Sequence, residues 1–153
     1  MAIKKILVPT DFSADATNAL NYALDLAKPA GAEIILLHVI EPIYYATPVD
    51  MYVTTPNLAA IVDEQRALAK QELAKVAATV KKRGLACRTI LEMGTPAHVI
   101  TETARRKKPG LLVMATHGRT GMMHFVLGSV AEKVVRTCTC PVLTVRGKGR
   151  KKK

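Results

Sequence analysis

The chain has no tryptophan, and its four tyrosines and two phenylalanines hold the aromatic share to 4%. Flavodoxin-like electron transfer, which wants aromatic rings around an isoalloxazine, is therefore not supported. Cysteine is equally scarce. Cys87, Cys138 and Cys140 are an odd count with no framework spacing, which argues against structural disulfides. Cys138-x-Cys140 is too few ligands for a zinc site, so half-buried thiols at a helix end are expected. No apolar run approaches the roughly 20 residues that span a bilayer. The start, "MAIKKILVPTD", lacks the length and cleavage site of a signal peptide, and a cytoplasmic location with no membrane partner is expected. Acidic residues are few, 12 against 23 Lys and Arg, for a formal charge of +11. Six of those cations are Arg146, Lys148, Arg150, Lys151, Lys152 and Lys153, which leaves 17 against 12, or +5, elsewhere. That ending has no ring for base stacking and no apolar face for a membrane. Residues 147–153 are thus expected to be a solvated, disordered basic tail, with nucleic acid not a favoured partner, behind a domain of residues 1–146.

The remainder has the composition of one globular domain: 153 residues, 49% hydrophobic and 23% charged, enough to close a single core. Ile3 to Pro9 is a β-branched apolar run stopped by a loop. Ser13 offers an N-cap, after which Ala16, Ala19, Leu20, Ala23, Leu24 and Ala27 recur at helical spacing until Pro29 and Gly31 stop the pattern. Ala32 to Ile40 is nearly continuous apolar sequence, as in a strand covered on both faces. Glu41 to Asn57 has three prolines, three tyrosines and no periodicity, which fits either a lid or partner surface or a packed meander. A long helical face runs through Leu58, Ile61, Val62, Leu68, Ala69, Leu73, Val76, Ala77 and Val80 to Gly84. A third strand covers Ala86 to Gly94. Thr95-Pro96 then opens a helix that turns Ala97, Ile100 and Ala104 inward. Leu111 to Ala115 is a fourth strand, a fourth helix starts near Ser129, and Pro141 to Val145 closes as a short strand at a sheet edge.

Strands and helices alternate, which predicts an α/β fold: an open five-stranded parallel sheet with helices on both faces, Rossmann-like. Ligands of such sheets lie beyond the strand carboxyl ends where the strand order reverses. The loop after the fourth strand is the more glycine-rich candidate, so the first strand is paired with the fourth, in the order 3-2-1-4-5. The crevice is then Pro9, Thr10 and Asp11 facing Ala115 to Ser129. Gly118 and Gly121 permit close backbone approach, and Gly128-Ser129 opens a helix with free N–H groups at its positive end. Thr120 and Ser129 add hydroxyls, and Arg119 adds charge. Neither GxxxxGK[ST] nor GxGxxG is present, so phosphate binding and a purely structural loop both remain open on spacing alone. Asp11 could equally cap the first helix, and His117 could be a phosphate ligand or a polar loop residue.

Taken together, "MATHGRTGMMHFVLGSVAEKVV", "IKKILVPTDFS" and "CPVLTV" resemble the universal stress protein family in its ATP-binding members, from Lys4 to Val145. The family pattern G-x2-G-x9-G-[ST] falls on Ala115, Gly118, Gly128 and Ser129, with alanine in place of the first glycine. The resemblance implies an adenine nucleotide hydrolase-like fold and ATP, accompanied by Mg2+, as ligand. Asp11, with Pro9 and Thr10, would contact adenosine. The Val39 backbone would hold adenine, and Met114, Ala115, His117, Gly118, Arg119, Gly128, Ser129 and Val130 would hold ribose and phosphates. It also implies a homodimer through the last strand. Hydrolysis would need a base, and none is evident in the loop, so binding is better supported than turnover, at most slow ATP hydrolysis is expected, and the expected role is a nucleotide-dependent stress-response or regulatory module. The alternative is an interaction module working through residues 41–57 or the basic tail without nucleotide.

Overall fold

Short apolar strands joined by amphipathic helices give the chain the order β1 (Lys5–Pro9), α1 (Ala14–Ala30), β2 (Glu33–Ile40), α2 (Leu58–Lys82), β3 (Cys87–Met93), α3 (Pro96–Lys107), β4 (Leu111–Ala115), α4 (Ser129–Thr137) and β5 (Val142–Val145). The computed structural model describes residues 3–42, 58–118 and 127–147. All four strand pairings are parallel and the order is β3-β2-β1-β4-β5, as the glycine-rich loop after the fourth strand required.

Side chains alternate across a strand, and here both faces are apolar. Ile6, Val8, Ile34, Leu36 and Val113 join a cluster with α1 and α2. Leu7, Ile35, Leu37, Leu112 and Met114 join the opposite cluster with α3 and α4. The continuous apolar run in β2 follows from being buried on both sides.

Ser13 caps α1 as expected, its Oγ accepting from the Ala16 N–H at 3.1 Å, and all six inward residues read from the sequence are buried. The helix continues through Pro29, which sits in the last turn, before Gly31 ends it in the left-handed region at φ 59°. A proline there forgoes one hydrogen bond, close to an end that the Gly31 and Ala32 N–H groups close on the Ala27 carbonyl. Thr95 occupies the N-cap of α3 with no side-chain capping bond. The α2 face is buried only in its second half. Ala69, Leu73, Ala77 and Val80 are covered, whereas Ile61 and Leu68 are 39% and 55% exposed. Leu68, next to buried Ala69, is turned about 100° off the packed face, whereas for Ile61 the reason is length: 25 helical residues reach about 37 Å, while the 8 residues of β2 reach about 26 Å. The first turns of α2 extend past the sheet. Residues 43–57, the core of the proposed lid or partner surface, lie outside the described residues.

Candidate functional site

β1 lies between β2 and β4. The chain leaves β1 for α1, which packs on one face, and leaves β4 for α4, which packs on the other. A crevice therefore opens at the carboxyl end of β1. Its first wall is a tight bend tied at every residue. The Thr10 N–H donates to the Leu37 carbonyl at 2.8 Å, and Thr10 Oγ1 accepts from the Phe12 N–H at 3.0 Å. Asp11 Oδ1 accepts from the Ser13 N–H at 3.0 Å. Asp11 thus braces the N-cap residue from outside, while Ser13 itself caps the helix. Phe12 is bent into the left-handed region, φ 64°, with its ring 4.4 Å from that of His38. His38 Nδ1 lies 2.7 Å from the Thr10 carbonyl. A carbonyl only accepts, so Nδ1 carries the hydrogen.

The second wall begins at Thr116, which is buried. Its N–H donates to the Val145 carbonyl at 3.0 Å and its own carbonyl accepts the Gly128 N–H at 2.7 Å. The two ends of the glycine-bracketed segment are thereby pinned together at the foot of α4. Gly128 has an ordinary φ of −71°, so space rather than conformation demands glycine: a β-carbon there would lie 2.8 Å from the Thr116 carbonyl oxygen. Gly118 has a different partner, since a β-carbon on it would lie 2.8 Å from Asp11 Oδ2. The structure therefore brings Asp11 and Gly118 together across the crevice. Thr116 Oγ1 and His117 Nδ1 are 2.9 Å apart, which holds the His117 ring beside the strand end.

Backbone alternation adds two more positions. The Leu37 carbonyl is turned toward β1 and the Ile40 carbonyl toward Gly94, so Val39, in phase with Leu37, directs its N–H and C=O to the β1 side, beyond the Pro9 level where that strand ends. Leu112 and Thr116 direct their N–H groups to β5, which places those of Ala115 on the β1 side and those of Met114 on the β5 side. The Met114 side chain is buried in the α3–α4 cluster, so it forms floor rather than lining. The Ala115 methyl packs against the α1-side cluster. Ser129 and Val130 are the first two residues of α4, and their N–H groups have no intrahelical acceptor. Arg119 lies outside the described residues, as do Thr120 and Gly121.

The sequence alone assigns no role to three residues of this arrangement, although Phe12 and Thr116 lie within the stretches that carry the family resemblance. Phe12 and His38 are 26 residues apart in the chain, and only the β1–β2 register joins them. Thr116 had one available signal, a polar residue immediately after an apolar strand. Elsewhere, Cys138 and Cys140 are half-buried with their sulfurs 3.4 Å apart. Burial, and then the hydrogen bond to Cys138, push the Cys140 thiol up to about 12. Both thiols pack beside the α3–α4 cluster, in keeping with inert, structural cysteines.

Residues 2–146 match the model of the universal stress protein family. The chain belongs to this family. Among its relatives, the universal stress protein YxiE of Bacillus subtilis is 37% identical over 93% of this chain and 98% of its own length. MJ0531 of Methanocaldococcus jannaschii is 34% identical over 94% and 82%. The structure of MJ0577 superposes with a TM-score of 0.85 at 28% identity, covering 98% of this chain and 100% of that one. Two further family structures show the same fold at lower identity. One, in complex with cAMP, has a TM-score of 0.72 at 22% identity over 97% and 100%. The other, from Arabidopsis thaliana with AMP bound, has a TM-score of 0.69 at 23% identity over 95% and 93%. Among the described residues, no helix is long and apolar enough to cross a membrane.

Proposed function

We propose that the crevice binds an adenine nucleotide, ATP with Mg2+, and that the bound nucleotide sets the conformation or partner choice of a stress-response or regulatory module. The observation that carries this reading is the foot of α4. Gly128 leaves no side chain there, and the free N–H groups of Ser129 and Val130 stand at a helix N-terminus, a donor array with a positive dipole suited to phosphate. Asp11 lies across from it beside Gly118, where a carboxylate can accept ribose hydroxyls. The outward backbone groups of Val39 can pair with an adenine edge. The AMP and cAMP complexes belong to proteins that share only the fold at that identity, so they support an adenylate without naming which. Among the described residues no three His, Cys, Asp or Glu side chains converge as a metal cage, and Mg2+ would be held mainly through the phosphates.

Binding to the native state alone must raise stability by RT ln(1 + [L]/Kd), about 2.7 kcal/mol at one hundred times Kd. For a chain of this size that is a rise of about 5 to 10 °C in melting temperature. Thermal unfolding with ATP and Mg2+, AMP or cAMP at millimolar concentration measures it. Stabilisation by ATP with Mg2+ above that by the other two is the expected result, and no shift with any adenylate would sink the reading.

A further inference from the structure

A parallel sheet sends every helix C-terminus and every strand N-terminus to the same end, opposite the crevice. In this chain that end is strongly cationic. The last turn of α1 carries Lys28, and α2 ends on Lys81 and Lys82 followed by Arg83. Lys107 and Lys108 close α3. Lys4 and Lys5 precede and open β1 in their midst, the Lys4 carbonyl accepting from Glu33 and the Lys5 carbonyl from Gly110. All but Lys107 are exposed. Lys28, Lys82 and Arg83 line one cleft of about 290 Å3 with Asp25, over a floor of Leu24 and Leu85.

Basic residues at helix C-termini have an ordinary role in offsetting the macrodipole, worth about half a negative charge per helix. Three helix ends therefore account for fewer than two of these cations. Nor does local acid neutralise them. Of the carboxylates near this end, Glu33 is taken by Arg88 at 3.2 Å, Glu102 by Arg105 and Glu132 by Arg136, which leaves Asp25. No ion pair among the described residues involves any of the eight.

The type of cation selects the partner. Protein interfaces are depleted in lysine and enriched in aromatics, methionine and arginine, whereas the cations left outside ion pairs at this end, among the described residues, are seven lysines and Arg83; Arg88, Arg105, Arg106 and Arg136 are held by Glu33, Glu102, Glu92 and Glu132. Stable membrane attachment takes an apolar insertion or anchor as well as charge. Among the described residues the exposed large hydrophobics are Tyr22, Leu26, Ile61, Leu68 and Val135; only Leu26 and Val135 fall near helix C-termini, and they sit on helices packed on opposite faces of the sheet, so no contiguous apolar patch accompanies the charge. Lysines without rings suit the phosphodiester backbone of a duplex, where no base need be stacked. Five strands at about 4.8 Å spacing make the end about 19 Å wide, a length over which a duplex presents about 11 phosphate charges.

We infer that the strand N-terminal end of this protein is a docking surface for double-stranded nucleic acid, read through its phosphates without sequence preference. The test is fluorescence anisotropy of a labelled 20-base-pair duplex against sodium chloride concentration. It uses the full-length chain with Lys148, Arg150, Lys151, Lys152 and Lys153 changed to serine, so that the tail is neutral. Binding should persist at low salt. Adding Lys81→Gln, Lys82→Gln and Arg83→Gln should weaken it at least tenfold at 50 mM salt and flatten the log–log salt slope by about 2 to 3, near 0.9 per lost phosphate contact. A second variant, Lys4→Gln with Lys28→Gln, should flatten it by about 2, with unchanged melting temperatures as the check on folding. The inference is overturned if the tail-neutral chain fails to bind duplex, if both variants keep its slope, or if vesicles containing phosphatidylserine bind while duplex does not.

Discussion

At Phe12 the backbone turns left-handed, φ 64°, a conformation that costs a bulky residue about 1 to 3 kcal/mol and persists only where its surroundings impose it. The surroundings here are the Thr10 hydroxyl on the Phe12 N–H, the His38 ring 4.4 Å away and the His38–Thr10 hydrogen bond. The outcome is that Asp11, between the two tied residues, is aimed at Gly118. His38 is therefore a positioning residue for the proposed nucleotide contact, acting through Thr10 and Phe12. Replacing it as His38→Ala removes the donor and the ring together, leaving a partly buried carbonyl short of its partner, and should cost about 2 kcal/mol of stability. The more diagnostic readout is the ATP-induced rise in melting temperature, which should shrink in His38→Ala. An undiminished rise would show that the bend holds Asp11 without His38. None of this was legible beforehand, because a lone histidine in an apolar strand looks the same whether it packs or positions.

The element that organises the crevice is α4, whose first turn offered a candidate anion site at Gly128-Ser129 while leaving a purely structural loop also open. What the spacing left open was why the glycine is there, and Thr116 supplies the reason. The Gly128 N–H and the place of its missing β-carbon both meet the Thr116 carbonyl, so the helix start and the strand end share one closure. Gly128→Ala should break that closure, cost about 1 to 3 kcal/mol by overpacking and abolish stabilisation by ATP. Ala115→Gly restores the family pattern at its first position, yet the methyl it removes packs on the α1-side cluster and not toward α4. It should change ATP affinity less than threefold, measured by isothermal titration. A tenfold gain in Ala115→Gly would mean that the alanine does obstruct the ligand. The reading of α2 shows the opposite limit of sequence: its periodicity gives a helix, but only the strand lengths reveal that Ile61 extends past the sheet, and only the packing shows that Leu68 is turned away from it beside buried Ala69.

For the molecule as a whole, the alternation of elements and the one glycine-rich loop sufficed for the sheet order, because in a doubly wound sheet each strand has few places to go. The same topology leaves a sheet edge at β5. β5 is an edge strand of four residues, with Val142, Leu143 and Thr144 only partly buried, and an open edge invites a second chain. The Pro141 carbonyl accepts from Leu112 and the Val145 carbonyl from Thr116. Residues 141, 143 and 145 thus turn their backbone groups toward β4, and Val142 and Thr144 turn theirs outward. A homodimer paired through β5 needs the outward Thr144 N–H, whereas the ladder to β4 does not. Thr144→Pro should therefore convert a dimer to a monomer in sedimentation at micromolar concentration and keep the native far-ultraviolet circular dichroism, since proline is tolerated on the solvent side of an edge strand. Val142→Pro should do the same, but Leu143→Pro should unfold the edge, because its N–H is turned toward β4. If Thr144→Pro remains dimeric, the two copies meet elsewhere.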